Sequence, residues 1–127
     1  MQLATARTLT RAALAEATGL DVGNIKQMVG DGSIPRSFYT FGDDRRSYLF
    51  CAATVALLAL VRELHEHFGA QSRIPREVAR QLSPDDLRRA WADGAPRQIR
   101  VTFDGVEVRI RKLGFLAVAR ERLEAMA

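Results

Sequence analysis

Thr10 and Asp21 stand where helix caps belong, and the short segments that follow them constrain this chain more than any other feature. A side-chain oxygen at such a position satisfies a backbone N–H that the first helical turn leaves unpaired. Thr10 is placed to cap a two-turn helix over residues 11–18, with Ala13, Leu14 and Ala17 on one apolar face, and Gly19 ends it. Leu20 supplies an apolar plug, and Asp21 caps a second short helix over residues 22–29 that stops before Gly30-Asp31-Gly32. Two helices joined by about three residues around a glycine form the helix-turn-helix pattern. In the second helix Val22, Ile25, Met28 and Val29 fall on one face at helical spacing. Gly23, Asn24, Lys26 and Gln27 are left outward or lateral, a polar surface rich in hydrogen-bond donors.

Downstream, Ile34-Pro35 breaks the helical pattern, and residues 37–41 and 45–49, separated by Gly42-Asp43-Asp44, read as a β-hairpin. The spacing of Val55, Leu58, Val61, Leu64 and Phe68 predicts one long amphipathic helix over about residues 50–68, ended by Gly69. Pro75 opens a helix reaching about Leu82, and Ser83-Pro84-Asp85-Asp86 opens another that ends near Asp93-Gly94. Asp104-Gly105 is a preferred pair for a two-residue hairpin turn. Pairing across it sets Phe103 opposite Val106, Val101 opposite Val108 and Ile99 opposite Ile110, all apolar and all on one face. The other face pairs Thr102 with Glu107, Arg100 with Arg109 and Gln98 with Arg111, and like charges directly opposite call for an anion nearby. Residues 115–126 read as a closing helix with Leu116, Ala119, Leu123 and Met126 on one side. The expected fold is mainly α with two small β-hairpins, an α+β chain. A winged helix-turn-helix region over 1–82 precedes a C-terminal helix-hairpin-helix unit over 83–127, suited to dimerisation or partner binding.

The net charge of +4 raises the prior for a polyanionic partner, yet its distribution is even. Residues 1–50 hold six cations and five acids, 51–97 seven and six, and 98–127 six and four. Local motifs must therefore carry the argument. With one cysteine, Cys51, there is no internal disulfide framework and no multi-cysteine zinc site. Cys51 reads as a small apolar residue at the start of the long helix. His65 and His67, two apart on a helix, face different directions and read as surface or rim residues. Trp91 is a core or interface residue. No nucleophile, base and orienting acid set or Gly-rich phosphate loop occurs, so neither an enzyme nor a cofactor or metal site is expected. There is no signal-peptide apolar core, and the longest apolar run, residues 51–61, is about half of the ~20 residues needed to cross a bilayer. A soluble cytoplasmic protein without membrane contact is the expectation.

In order along the chain stand Leu9-Thr10, Leu14-Ala15, Thr18-Gly19-Leu20, Asn24-Ile25-Lys26, Asp31-Gly32-Ser33-Ile34-Pro35 and Arg46-Ser47-Tyr48. This series resembles the DNA-binding domain of the MerR family of transcription regulators, over roughly residues 8–82. The resemblance implies that the helix over 22–29 enters the major groove and that the 37–49 hairpin is a wing on the flanking backbone. Asn24 and Gln27 are suited to base edges and Lys26 to a guanine or a phosphate. Arg36, Arg45 and Arg46, with the hydroxyls of Tyr39 and Tyr48, suit phosphates. Other readings of the same residues stand beside these. Arg45 and Arg46 are also able to pair with Asp43 and Asp44, and Tyr48 to act as a half-buried wing anchor. The family's long C-terminal coiled coil has no counterpart here, so its effector binding and antiparallel dimer do not carry over.

The sequence thus supports a sequence-specific regulator that binds double-stranded DNA as a homodimer, because one short helix reads few base pairs. RNA polymerase or another protein is a further candidate partner. An excisionase-like architectural protein that bends DNA is a variant of this reading. A protein-interaction adaptor whose helix-turn-helix no longer binds DNA is the reading from another class, favoured by Asp21, Asp31, Asp43 and Asp44. Arg100, Arg109 and Arg111 are either a second contact to DNA or an acidic partner, or a solvated sheet face.

Overall fold

A computed structural model describes residues 8–42, 47–69, 71–91, 99–103, 105–110, 121–122 and 124–125. Among them the chain forms a mixed α/β fold of five α-helices and two small antiparallel sheets, as an α+β reading requires. The order is β1 (Thr8–Thr10), α1 (Arg11–Thr18), α2 (Val22–Gly30), a 3-10 turn (Arg36–Phe38), β2 (Tyr39–Phe41), β3 (Tyr48–Cys51) and α3 (Ala53–Phe68). Then follow α4 (Ile74–Gln81), α5 (Pro84–Trp91), β4 (Ile99–Phe103) and β5 (Val106–Ile110).

The expected caps are made. Thr10 Oγ1 accepts from the Ala13 N–H at 3.1 Å, and Gly19 ends α1 at φ 74°, a left-handed conformation that costs glycine nothing. At α5 the Ser83 Oγ accepts from the Asp86 N–H at 3.3 Å while the Asp86 carboxylate accepts from the Ser83 N–H at 2.8 Å. That exchange is a capping box with aspartate in the usual glutamate position.

The first sheet holds more than the expected hairpin. β3 is its central strand, with β2 on one side and β1 on the other, all antiparallel. Phe50 sits opposite both Leu9 and Tyr39 and is fully buried. The helix expected from residue 50 therefore starts at Ala53, and Cys51 closes a strand instead of opening a helix. Ser37 and Phe38, expected in the first wing strand, form the 3-10 turn, which drives Phe38 into the core.

α3 is the pivot of the molecule, since α1, α4 and α5 all pack on it. Its first six residues, Ala53 to Leu58, are buried on every side, so its amphipathic pattern holds only beyond them. Alanines at 52, 53 and 56 let neighbouring backbones come close. Phe68, expected on the apolar face, is exposed and meets His67 edge-on at 4.7 Å.

The second sheet has the expected register throughout its described length, from Ile99 opposite Ile110 to Phe103 opposite Val106. Gly105 takes φ 79° in the turn. β4 lies on α4 and α5, where Ile99 and Val101 are buried in the same apolar cluster as Leu14, Ile25 and Leu87. One core thus runs across the 82/83 boundary. The pairing of Gln98 with Arg111, the end of α5 near Asp93-Gly94 and the environment of Trp91 lie outside the described residues. Of the closing helix, Glu121, Arg122, Glu124 and Ala125 are described, and they are helical. No helix among the described residues is long and apolar enough to cross a membrane.

Candidate nucleic-acid interface

The turn between α1 and α2 is held by its own side chains. Thr18 Oγ1 donates to the Leu14 carbonyl at 2.8 Å and accepts from the Leu20 N–H at 3.3 Å, so the chain leaves α1 at a fixed angle. Asp21 Oδ1 then accepts from the Gly23 N–H at 3.2 Å and starts α2.

α2 is anchored to the core by Ile25, which is 0% exposed, with Met28 and Val29 half-buried against the same cluster. Gly23, Asn24, Lys26 and Gln27 are exposed. Val22, expected on the inner face, is 39% exposed. At about 100° per residue, Asn24 and Lys26 point some 200° apart and lie on opposite flanks of the polar face. Its outermost row is Gly23, Gln27 and Gly30. Two glycines therefore frame Gln27, and no heavy atom lies within 4 Å of where a Gly30 Cβ would sit.

The far end of α2 is also fixed. The Ile34 N–H returns to the Met28 carbonyl at 3.1 Å around Gly32 at φ 82°. Asp31 accepts from the Ser33 N–H at 2.8 Å through Oδ1 and pairs with Arg76 Nη2 of α4 at 3.4 Å through Oδ2. α2 thus has both ends tied and its polar face clear.

On the β2–β3 hairpin, the four rings of Tyr39, Phe41, Tyr48 and Phe50 form a continuous aromatic cluster. Tyr48 meets Tyr39 edge-on at 5.2 Å and lies 5.4 Å from Phe41. Tyr48 is half-buried, which fits the anchor reading. Arg36 donates to the Tyr39 carbonyl and lays its guanidinium 4.9 Å from the Tyr39 ring and 5.0 Å from the Phe41 ring. These contacts hold an exposed cation at the base of the hairpin, and Phe41 beside it is 48% exposed. Arg45 and Arg46, with Asp43 and Asp44, lie outside the described residues.

The anion that the Arg100–Arg109 pair calls for comes from the hairpin itself. Glu107 Oε1 lies 3.7 Å from Arg100 Nε and 3.3 Å from Arg109 Nε. Such exposed pairs contribute little to stability, but they lower the positive potential of this face. Arg111 lies outside the described residues.

Sequence reasoning did not find a cleft of about 560 Å³ beside α2. Leu20, Met28, Leu58 and Val61 give it an apolar floor, and Asn24 and Gln27 form one wall. Arg62, Arg73 and Arg76 line it with a single carboxylate, Asp31. His65 lines it too, and its Nδ1 is buried without a hydrogen-bond partner among the described residues. These residues come from α2 and its two flanking turns, from α3, from the α3–α4 connection and from α4, and no local pattern announces their meeting. Cys51 is a free thiol 3.7 Å from Thr54 Oγ1. No group of histidine, cysteine and carboxylate side chains suited to a metal ion occurs among the described residues.

Compared with known proteins, the chain matches no protein-family model, no curated protein and no solved structure.

Proposed function

We propose that this chain is a sequence-specific regulator of transcription that binds double-stranded DNA through a winged helix-turn-helix like that of the MerR family. In this reading α2 enters the major groove, the β2–β3 hairpin is the wing, and the protein acts in the cytoplasm as a homodimer. The observation that carries it is the posture of α2: Ile25 is fully buried, both helix ends are tied down, and Gly23, Asn24, Lys26 and Gln27 stand exposed. An α-helix of this width fits the major groove, and the two glycines on its outer row let its backbone approach closely. Gln27 then faces base edges, Lys26 serves a guanine or phosphate on one flank, and Asn24 works from the other. Arg36, its guanidinium held against the Tyr39 and Phe41 rings, offers a positioned cation to the phosphate backbone.

Fragments selected from genomic DNA by the full chain provide the probe. The joint change of Asn24, Lys26 and Gln27 to Ala should abolish specific retardation in a gel-shift titration while circular dichroism stays unchanged. Retained binding by a folded triple variant would reject the assignment.

The exposed Phe41 favours a second reading, an adaptor that docks another protein through the wing. Salt separates the two. About four phosphate contacts per protomer, or eight per homodimer, give a log-log slope near −7, whereas an apolar interface responds weakly.

A further inference from the structure

The DNA reading uses one side of Asn24 and Gln27 and leaves the cleft behind them without a role. We propose that this cleft binds a small organic anion, an apolar body carrying one carboxylate or sulfonate, and that the bound anion competes with DNA for Asn24 and Gln27. The competition rests on the DNA reading of α2, and the binding site does not.

Size is the first argument. About 560 Å³ lies within the range of roughly 300–1,000 Å³ typical of small-molecule sites. Its lining has the matching chemistry, a mainly apolar surface with a few convergent polar groups. Leu20, Met28, Leu58 and Val61 suit the ligand's apolar body, for which a DNA phosphate has no use.

Charge is the second argument. Of the three arginines in the lining, Arg76 is matched by Asp31 at 3.4 Å and Arg62 by Glu66 at 3.6 Å. Arg73 makes no ion pair among the described residues. Among the described residues the cleft therefore holds one positive charge without an ion-pair partner above an apolar floor, which selects a ligand with one negative charge. The Nδ1 of His65, buried and without a hydrogen-bond partner among the described residues, marks a further polar group in the same lining. Finally, Asn24 and Gln27 belong both to the cleft wall and to the exposed face of α2, so a ligand that engages them there withdraws them from a groove.

Anilinonaphthalene sulfonate and its uncharged relative phenylnaphthylamine form a probe pair for fluorescence titration of the full chain. The sulfonate should bind saturably, one dye per chain, and about tenfold or more tighter than the amine. Arg73→Gln should remove that preference while leaving the amine's affinity and the melting temperature unchanged. Arg89→Gln, on α5 and outside the cleft lining, should alter neither. Non-saturable binding, equal affinity for the two dyes, or equal behaviour of the Arg73 and Arg89 variants would overturn the site. Selected DNA should release the bound sulfonate; a ternary complex overturns the competition. A chain that binds the sulfonate as expected but retards no DNA fragment overturns the DNA reading and leaves the cleft standing. One that retards DNA but takes no dye overturns the cleft alone.

Discussion

Gln81 and Thr102 exchange two hydrogen bonds: the Gln81 Nε2 donates to the Thr102 carbonyl at 2.7 Å, and the Thr102 N–H donates to Gln81 Oε1 at 2.6 Å. The side-chain amide of the last residue of α4 acts as a strand partner for the middle of β4, and so fixes the C-terminal hairpin against the helical core. An amide is the one side-chain group that donates and accepts from a single planar end. Gln81→Glu keeps the acceptor, loses the donor and sets a charge against the Thr102 carbonyl. We expect Gln81→Ala to cost about 1 kcal/mol and Gln81→Glu at least as much, with faster amide exchange at Thr102 in the alanine variant, which loses the acceptor. Unchanged exchange at Thr102 would show that the apolar contacts of Ile99 and Val101 dock the hairpin unaided.

Gly30 sets stability against close approach. Its surroundings are open, and its helical conformation accepts any L-residue, so Gly30→Ala should stabilise the chain by roughly 0.5 kcal/mol through lower unfolded-state entropy. If the outer row of α2 seats in a groove, the added methyl should weaken DNA binding in the same variant. Thermal unfolding and gel-shift titration read the two effects separately, and tighter binding by the alanine variant would contradict the close approach.

Glu107 tests whether the hairpin arginines meet DNA. Glu107→Gln leaves Arg100 and Arg109 facing each other without their shared anion. The loss should stay below about 1 kcal/mol and vanish at high salt, because the groups are exposed. If these arginines contact phosphate, the variant should bind DNA more tightly at low salt, since less intramolecular pairing must be broken. Unaltered binding identifies them as a solvated sheet face.

Thr54 is the buried hydroxyl that ties α3 to the 3-10 turn before β2. Its Oγ1 donates to the Phe38 carbonyl at 3.4 Å across 16 residues of chain. Thr54→Val keeps the shape and removes the bond, and we expect a loss near 1 kcal/mol seen as a lower denaturation midpoint with unchanged slope. A loss several times larger would mean that this one bond sets the strand-to-helix corner at Ala52.

What the sequence determined by itself is what a few neighbouring residues decide. The caps at Thr10, Asp21 and Ser83 concern groups within three residues of one another, Gly19 breaks α1 through its own backbone freedom, and Asp104-Gly105 sets a register because the hairpin strands are joined directly to it. The exposed face of α2 was legible for the same reason, since helical periodicity is local. Tertiary structure alone decided the rest. β1 is only three residues long and exists because β3, some forty residues later, offers it an edge; that pairing holds Phe50 and Cys51 in a strand where periodicity alone continues the helix. Burial all around the start of α3, the Gln81–Thr102 bridge and the cleft beside α2 likewise arise where distant segments meet. Their energies come from surfaces that become neighbours only after folding, and no spacing along the chain encodes them.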